Sequence, residues 1–158
     1  MERQQFYRKL PGPMDLILWR HAEAEEGGAD LERQLTAKGR KQAERVAQWL
    51  LQRLPGKFVA VASPAARAQQ TAEALTVKFR TAKNLAPGAQ VKDILEAAGW
   101  PDHKIAVVLV GHQPDLGRAV AYLVSGQESG WRIKKGGFWW VSSKDELIVR
   151  AVVSPDLL

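Results

Sequence analysis

The chain predicts an α/β fold: a three-layer α/β/α sandwich with a mostly parallel sheet and an antiparallel edge strand. Three observations carry this. Short apolar runs alternate with stretches of helical periodicity, the pattern of parallel strands covered on both faces. Three of those runs stop at polar pairs, Arg20-His21, Ser63-Pro64 and Gly111-His112. Two further runs close the chain around a Lys144-Asp145 turn, as paired strands do.

The first run, residues 14–19 (MDLILW), has the length and Leu/Ile content of a buried strand. A polar, glycine-containing loop follows to about Gln34. Thr36 is a good helix N-cap, and Ala43, Val46, Ala47, Leu50, Leu51 and Leu54 recur behind it as one apolar stripe, stopped by Pro55-Gly56. Residues 58–62 read as a second strand, and Ser63-Pro64 opens a helix to about Leu75. Residues 76–88 carry no clear period. A short helix is expected from near Ala89 to Gly99, and residues 104–110 (KIAVVLV) are the clearest strand. Pro114 and Asp115 suit the start of a helix that buries Leu116, Ala119, Val120 and Leu123. Residues 138–142 and 147–153 form the closing pair, in which Trp139 and Trp140 must point to opposite faces.

Residues 14–158 are expected to form a single domain behind a flexible leader, residues 1–13, which lacks the apolar stretch of a secretory signal. No apolar run approaches the length of a membrane span, and a cytoplasmic location is expected. The absence of cysteine removes disulfides, thiolate metal sites and a cysteine nucleophile. The formal net charge of +6 favours an anionic partner. Its densest groups are Arg8-Lys9, residues 38–41, and Arg132 with Lys134-Lys135. They are dispersed and not interleaved with aromatics, so solvated surface charge is preferred to a nucleic-acid face. The segment 131–135 is likewise read as surface charge ahead of a pocket lining.

In such sheets ligands collect beyond the carboxyl ends of the strands, where His21, Ser63 and His112 converge. Neutral imidazole attacks phosphorus readily, and fixed arginine forks stabilise a phosphoryl group in flight. Arg20 adjoins His21, and Arg67 lies in the first turn after Ser63-Pro64. A lone strand-end histidine is more often a packing residue, and metal ligation by His21 and His112 with Asp30 or Asp115 is a further alternative. His103 falls in a polar turn and is assigned to the surface.

LILWRHAEAE resembles the Arg-His signature of the histidine phosphatase superfamily, which includes the phosphoglycerate mutases. DLERQLTAKGRKQAERVAQWL is similar to its helix opening, ASPAARAQQTAEAL to its second arginine segment, and LVGHQPDLGRAVAYL to its second histidine segment. The four stand in the family's order across residues 14–125. Chain length, Ala22, Asp30 and Arg33 resemble the small SixA-type phosphohistidine phosphatases. The resemblance implies a phosphoglycerate mutase-like fold, His21 as nucleophile, and Arg20, Arg67 and His112 around the phosphate. It implies that Arg33 extends the pocket and that Asp30 orients a basic group or substrate, with a lesser role for Glu23. No metal and no cofactor are expected, because the arginines supply the charge stabilisation.

The expected reaction passes through a phospho-His21 intermediate that water hydrolyses. Larger relatives carry a leaving-group acid in a middle insertion. Here residues 76–103 are short, and none of Asp93, Glu96 and Asp102 can be assigned that role. Imidazole leaves with less proton assistance than an alkoxide, which favours phosphohistidine on a protein as substrate. The alternatives are a phosphomonoesterase for a small metabolite or nucleotide, and a non-catalytic phosphoprotein-binding module. No nucleic-acid or membrane partner is expected, and the sequence leaves the oligomeric state open. It also leaves open which group fixes the His21 tautomer.

Overall fold

A computed structural model describes residues 13–158; the expected leader, Pro13 apart, lies outside the described residues. One six-stranded sheet runs through the molecule in the order β3-β2-β4-β1-β5-β6. Its strands are β1 (Asp15–Arg20), β2 (Phe58–Ala62), β3 (Arg80–Thr81), β4 (Ala106–Gly111), β5 (Phe138–Ser142) and β6 (Ile148–Val153). β1, β2, β3 and β4 are mutually parallel. β5 runs antiparallel to β1, and β6 antiparallel to β5 at the edge.

Among the described residues four α-helices cover the sheet: α1 (Ala37–Leu51), α2 (Ala66–Glu73), α3 (Val91–Ala98) and α4 (Asp115–Ser125). Period-two alternation of the strands splits the core in two. Leu16, Leu18, Val107 and Leu109 pack with Ile94 of α3 and with Leu116 and Val120 of α4. Ile17, Trp19, Val108 and Val110 face the opposite way, onto Val46 and Leu50 of α1 and Ala68 and Ala72 of α2. The three layers follow from that split. Trp140 is buried on the α1 side, whereas Trp139 packs against the α3 side, as the alternation requires.

The ends of the elements obey local chemistry. Thr36 caps α1 by accepting a hydrogen bond from the Gly39 N–H at 2.9 Å. α1 stops at Leu51, one turn before Leu54, although Leu54 still packs in the core. Gln90 and Asp93 form a capping box at the start of α3, and Gly99 ends it in the left-handed conformation at φ 68°. The unassigned stretch 76–88 contains the two-residue β3 and a 3₁₀ turn, Lys83–Leu85.

Register sets the functional edge. Arg20 pairs with Gly111, and Ala62 with Val110. Residues 21, 63 and 112 therefore emerge side by side at the carboxyl ends of β1, β2 and β4. The segment before β5 joins them: Arg20 donates to the Gly137 carbonyl at 2.9 Å, and Gly136 donates to the His21 carbonyl at 3.0 Å.

Candidate active site

His21 is held from both sides. Its backbone N–H donates to the Gly111 carbonyl at 3.0 Å, and its carbonyl accepts from Gly136. The ring is buried, at 8% exposure. Nδ1 lies 2.7 Å from the Ala22 carbonyl. A carbonyl can only accept, so Nδ1 carries the ring proton and Nε2 carries the lone pair. That lone pair accepts from Nε–H of Arg67 at 3.3 Å. Ala22 thus supplies the tautomer-fixing group through its backbone, which no side-chain pattern announces.

Burial is the main cause that lowers the His21 pKa, to about 4. The Ala22 hydrogen bond opposes the shift, and the charges of Arg67, Arg20 and Arg33 reinforce it. The imidazole is neutral at pH 7, the form that can attack.

Arg67 stands on the first turn of α2 and is 3% exposed. Its Nη1 donates to the Asp30 carbonyl at 2.7 Å and its Nη2 to Asp30 Oδ2 at 3.2 Å. Asp30 also accepts from Nε and Nη2 of Arg33 at 3.2 and 3.1 Å. Desolvation is the largest single cause and pushes the Asp30 carboxyl up, but the hydrogen bonds and charges of both arginines together outweigh it and hold it below the usual carboxylate range. Asp30 thus bridges Arg33 and Arg67.

His112 lies with its ring centroid 5.2 Å from that of His21. Its Nε2 is 2.7 Å from Ser63 Oγ, and its Nδ1 is buried without a hydrogen-bond partner among the described residues. Burial above all, then the neighbouring His21 and Arg67, lowers its pKa to about 3, with Asp30 opposing. Ser63 was visible in the sequence only as a strand-end residue; its pairing with His112 depends on the register of β2 with β4. Arg20 Nη1 donates to the Ile133 carbonyl at 2.7 Å, and its Nε is buried and has no hydrogen-bond partner among the described residues.

The remaining candidates have structural partners. Glu23 Oε2 accepts from Thr36 Oγ1 at 2.8 Å. Asp115 accepts from the backbone N–H groups of Gly88 and Ala89 at 2.9 and 3.1 Å, while its burial raises its pKa. It holds the loop before α3 and is not gathered with the two histidines: among the described residues no three His, Cys, Asp or Glu side chains form a group that could hold a metal. No helix of the described residues is long and apolar enough to cross a membrane. Arg132, Lys134 and Lys135 are exposed, in line with the surface-charge reading, and also face a groove of about 530 Å³ that Arg20 lines.

Fold and site together define an α/β protein that presents two histidines and an arginine fork at the carboxyl edge of its sheet. Comparison with known proteins makes this specific. Residues 16–90 match the model of the histidine phosphatase superfamily (branch 1). An uncharacterized protein of Picosynechococcus sp. is 37% identical over 143 residues, covering 78% of this chain and 82% of its own. Among solved structures, a candidate phosphohistidine phosphatase SixA from Nakamurella multipartitia superposes with a TM-score of 0.76 at 27% identity, covering 93% of this chain and 99% of that one. The protein histidine phosphatase SixA complexed with tungstate gives 0.79 at 22% identity, over 91% and 99%. A phosphoserine phosphatase of Entamoeba histolytica shares the fold at a TM-score of 0.69 and 15% identity, over 92% and 99%. The chain belongs to the histidine phosphatase superfamily, in its SixA-type branch, and is a phosphatase.

Proposed function

We propose that this phosphatase removes the phosphoryl group from phosphohistidine on a protein, with His21 as the nucleophile. The observation that carries the reading is the fixed tautomer: Nδ1–H is tied to the Ala22 carbonyl, so Nε2 holds a lone pair at neutral pH. Nε2 forms the new N–P bond as the P–N bond of the substrate breaks, and the departing imidazole nitrogen keeps that electron pair. Arg20, Arg67 and His112 hold the equatorial oxygens, with Nδ1 of His112 and Nε of Arg20 as unpartnered polar atoms suited to them. Arg33 extends the pocket, and Asp30 orients both Arg33 and Arg67. Water then attacks phosphorus, the N–P bond of phospho-His21 breaks, and inorganic phosphate leaves.

Two features favour a phosphohistidine leaving group on a protein. Asp30, the carboxylate whose charge acts on His112, is engaged by two arginines and is a poor proton donor. Imidazole departs without a dedicated acid more readily than an alkoxide. The groove beside Arg20 is also open, which suits a macromolecular substrate better than an enclosed cleft would.

His21→Ala tests the reading directly. Turnover of a phosphohistidine protein and of an aryl phosphate should both fall by about 10⁴-fold or more. Acid-labile phosphate should be trapped on His21 during turnover of the wild type. Retained activity, or phosphate trapped on Ser63 or Thr71, would overturn the nucleophile assignment.

A further inference from the structure

The rim is asymmetric in charge. The groove that begins at Arg20 runs between α1 and the segment before β5. Lys38, Lys41 and Arg45 line it from one exposed face of α1, at the i, i+3, i+7 spacing that stacks side chains in a row. That row spans about 10 Å at the helical rise. Arg132, Lys134 and Lys135 line the opposite bank and are also exposed. Two carboxylates share the groove, and both have partners: Glu23 accepts from Thr36, and Asp156 pairs with Lys134 at 3.4 Å. The other cations of the two banks form no ion pair among the described residues.

Arg20 joins this groove to the candidate active site. It precedes His21 in the chain, and the Ile133 carbonyl that holds its Nη1 belongs to the segment bearing the opposite bank. A phosphoryl group held by Arg20 would therefore leave its carrier near a groove whose cations, Lys134 apart, form no ion pair among the described residues. No aromatic residue lines the groove, so it lacks the stacking platforms that single-stranded nucleic acids use.

We propose that this groove is a docking site for acidic side chains flanking the phosphohistidine of the protein substrate. The proposal rests on the phosphohistidine reading above and adds its partner chemistry: an acidic surface, recognised by α1 and residues 132–135, selects among phosphohistidine proteins. Such a surface acts on encounter and substrate affinity more than on the chemical step.

The test compares Lys41→Glu/Arg45→Glu with the wild type on three substrates: a phosphohistidine peptide with glutamate flanks, one with serine flanks, and an aryl phosphate. For the acidic peptide, kcat/KM should fall about tenfold or more, mostly through KM, while the other two substrates change by less than about twofold. The wild-type preference for the acidic peptide should shrink as salt is raised above about 150 mM. Lys41→Gln/Arg45→Gln should give the same order of effects at smaller amplitude, with an unchanged circular dichroism spectrum. Equal loss on all three substrates, or no loss on the acidic peptide, overturns the groove. So does tighter binding of a duplex oligonucleotide than of an unphosphorylated glutamate decapeptide at the same salt. A wild type that hydrolyses the aryl phosphate and neither peptide overturns the phosphohistidine reading instead. One that hydrolyses both peptides with equal kcat/KM overturns the groove alone.

Discussion

The two arginines beside His21 stand in walls of opposite character. The Arg67 wall is closed: the guanidinium is buried, and its Nε, Nη1 and Nη2 already meet His21, the Asp30 carbonyl and the Asp30 carboxylate. The Arg20 wall is open: one donor meets the Ile133 carbonyl, Nε has no partner, and the exposed cations of α1 and residues 132–135 lie beyond it. Burial and Arg132 both lower the Arg20 pKa, so a positive neighbour stands where Arg67 has a carboxylate. The compensated wall holds the His21 ring through Arg67. An uncompensated wall attracts anions before any chemistry begins.

That contrast predicts different kinetic signatures. Arg67→Ala should lower kcat on an aryl phosphate by about 10²–10³-fold, the cost of removing one preorganised donor to developing charge. Arg20→Ala should cost about 10–100-fold in kcat/KM, with a larger share in KM, because its charge already acts on the bound ground state. Steady-state kinetics of both variants decides the matter. A pure kcat defect for Arg20→Ala as large as that of Arg67→Ala would erase the distinction between the walls.

The same contrast can be sharpened by titration. Nitrogen NMR of the imidazoles should place His21 near pH 4 and His112 near pH 3, well below an ordinary histidine. If His21 is the nucleophile proposed above, it must be neutral, so its depressed pKa moves the acid limb of activity from about 6.5 toward 4. The unfolded chain takes up protons on these rings below about pH 6.5, whereas the native state resists until near the lowered values. Their contribution to stability is therefore full above about pH 6.5 and is lost as pH falls through that window. Arg67→Ala removes a positive neighbour and should raise the His21 midpoint. An unchanged midpoint would mean that burial alone sets it.

Side-chain patterns announced most of the architecture. The apolar run at residues 14–19, the stripe from Ala43 to Leu54, and the run into Gly111-His112 each needed only local sequence, and each became a core-facing element. β3 escaped because two exposed residues, Arg80 and Thr81, carry no period; they are a strand only through pairing with Val61 and Ala62. The site divides the same way. His21, Arg20, Arg67, Arg33, Asp30 and His112 were legible as side chains. The groups that set their geometry are the carbonyls of Ala22, Asp30 and Ile133, which every residue possesses and tertiary structure alone selects. The cations Arg132, Lys134 and Lys135 are exposed, as surface charge requires, but sequence could not show what lies across the groove from them.

The smallest expected effect concerns the joint that holds the open wall in place. Thr36 Oγ1 accepts from the Gly39 N–H at 2.9 Å and donates to Glu23 Oε2 at 2.8 Å, tying the first turn of α1 to the loop just after His21. Gly39 reinforces that joint: a Cβ there would stand 2.0 Å from the Glu23 carbonyl oxygen, so the helix can approach the loop only without a side chain. Thr36→Ala removes the cap and one Glu23 partner, and should cost about 1 kcal/mol in urea unfolding. Lys38 lies two residues on, so loosening the turn should disturb the groove before it disturbs Arg67, which is anchored through Asp30 on the other side. Aryl phosphate turnover should stay within about twofold of the wild type, and the larger change should fall on an acidic substrate. An equal loss on both substrates would show that the cap supports the whole rim, and that the two walls are one mechanical unit.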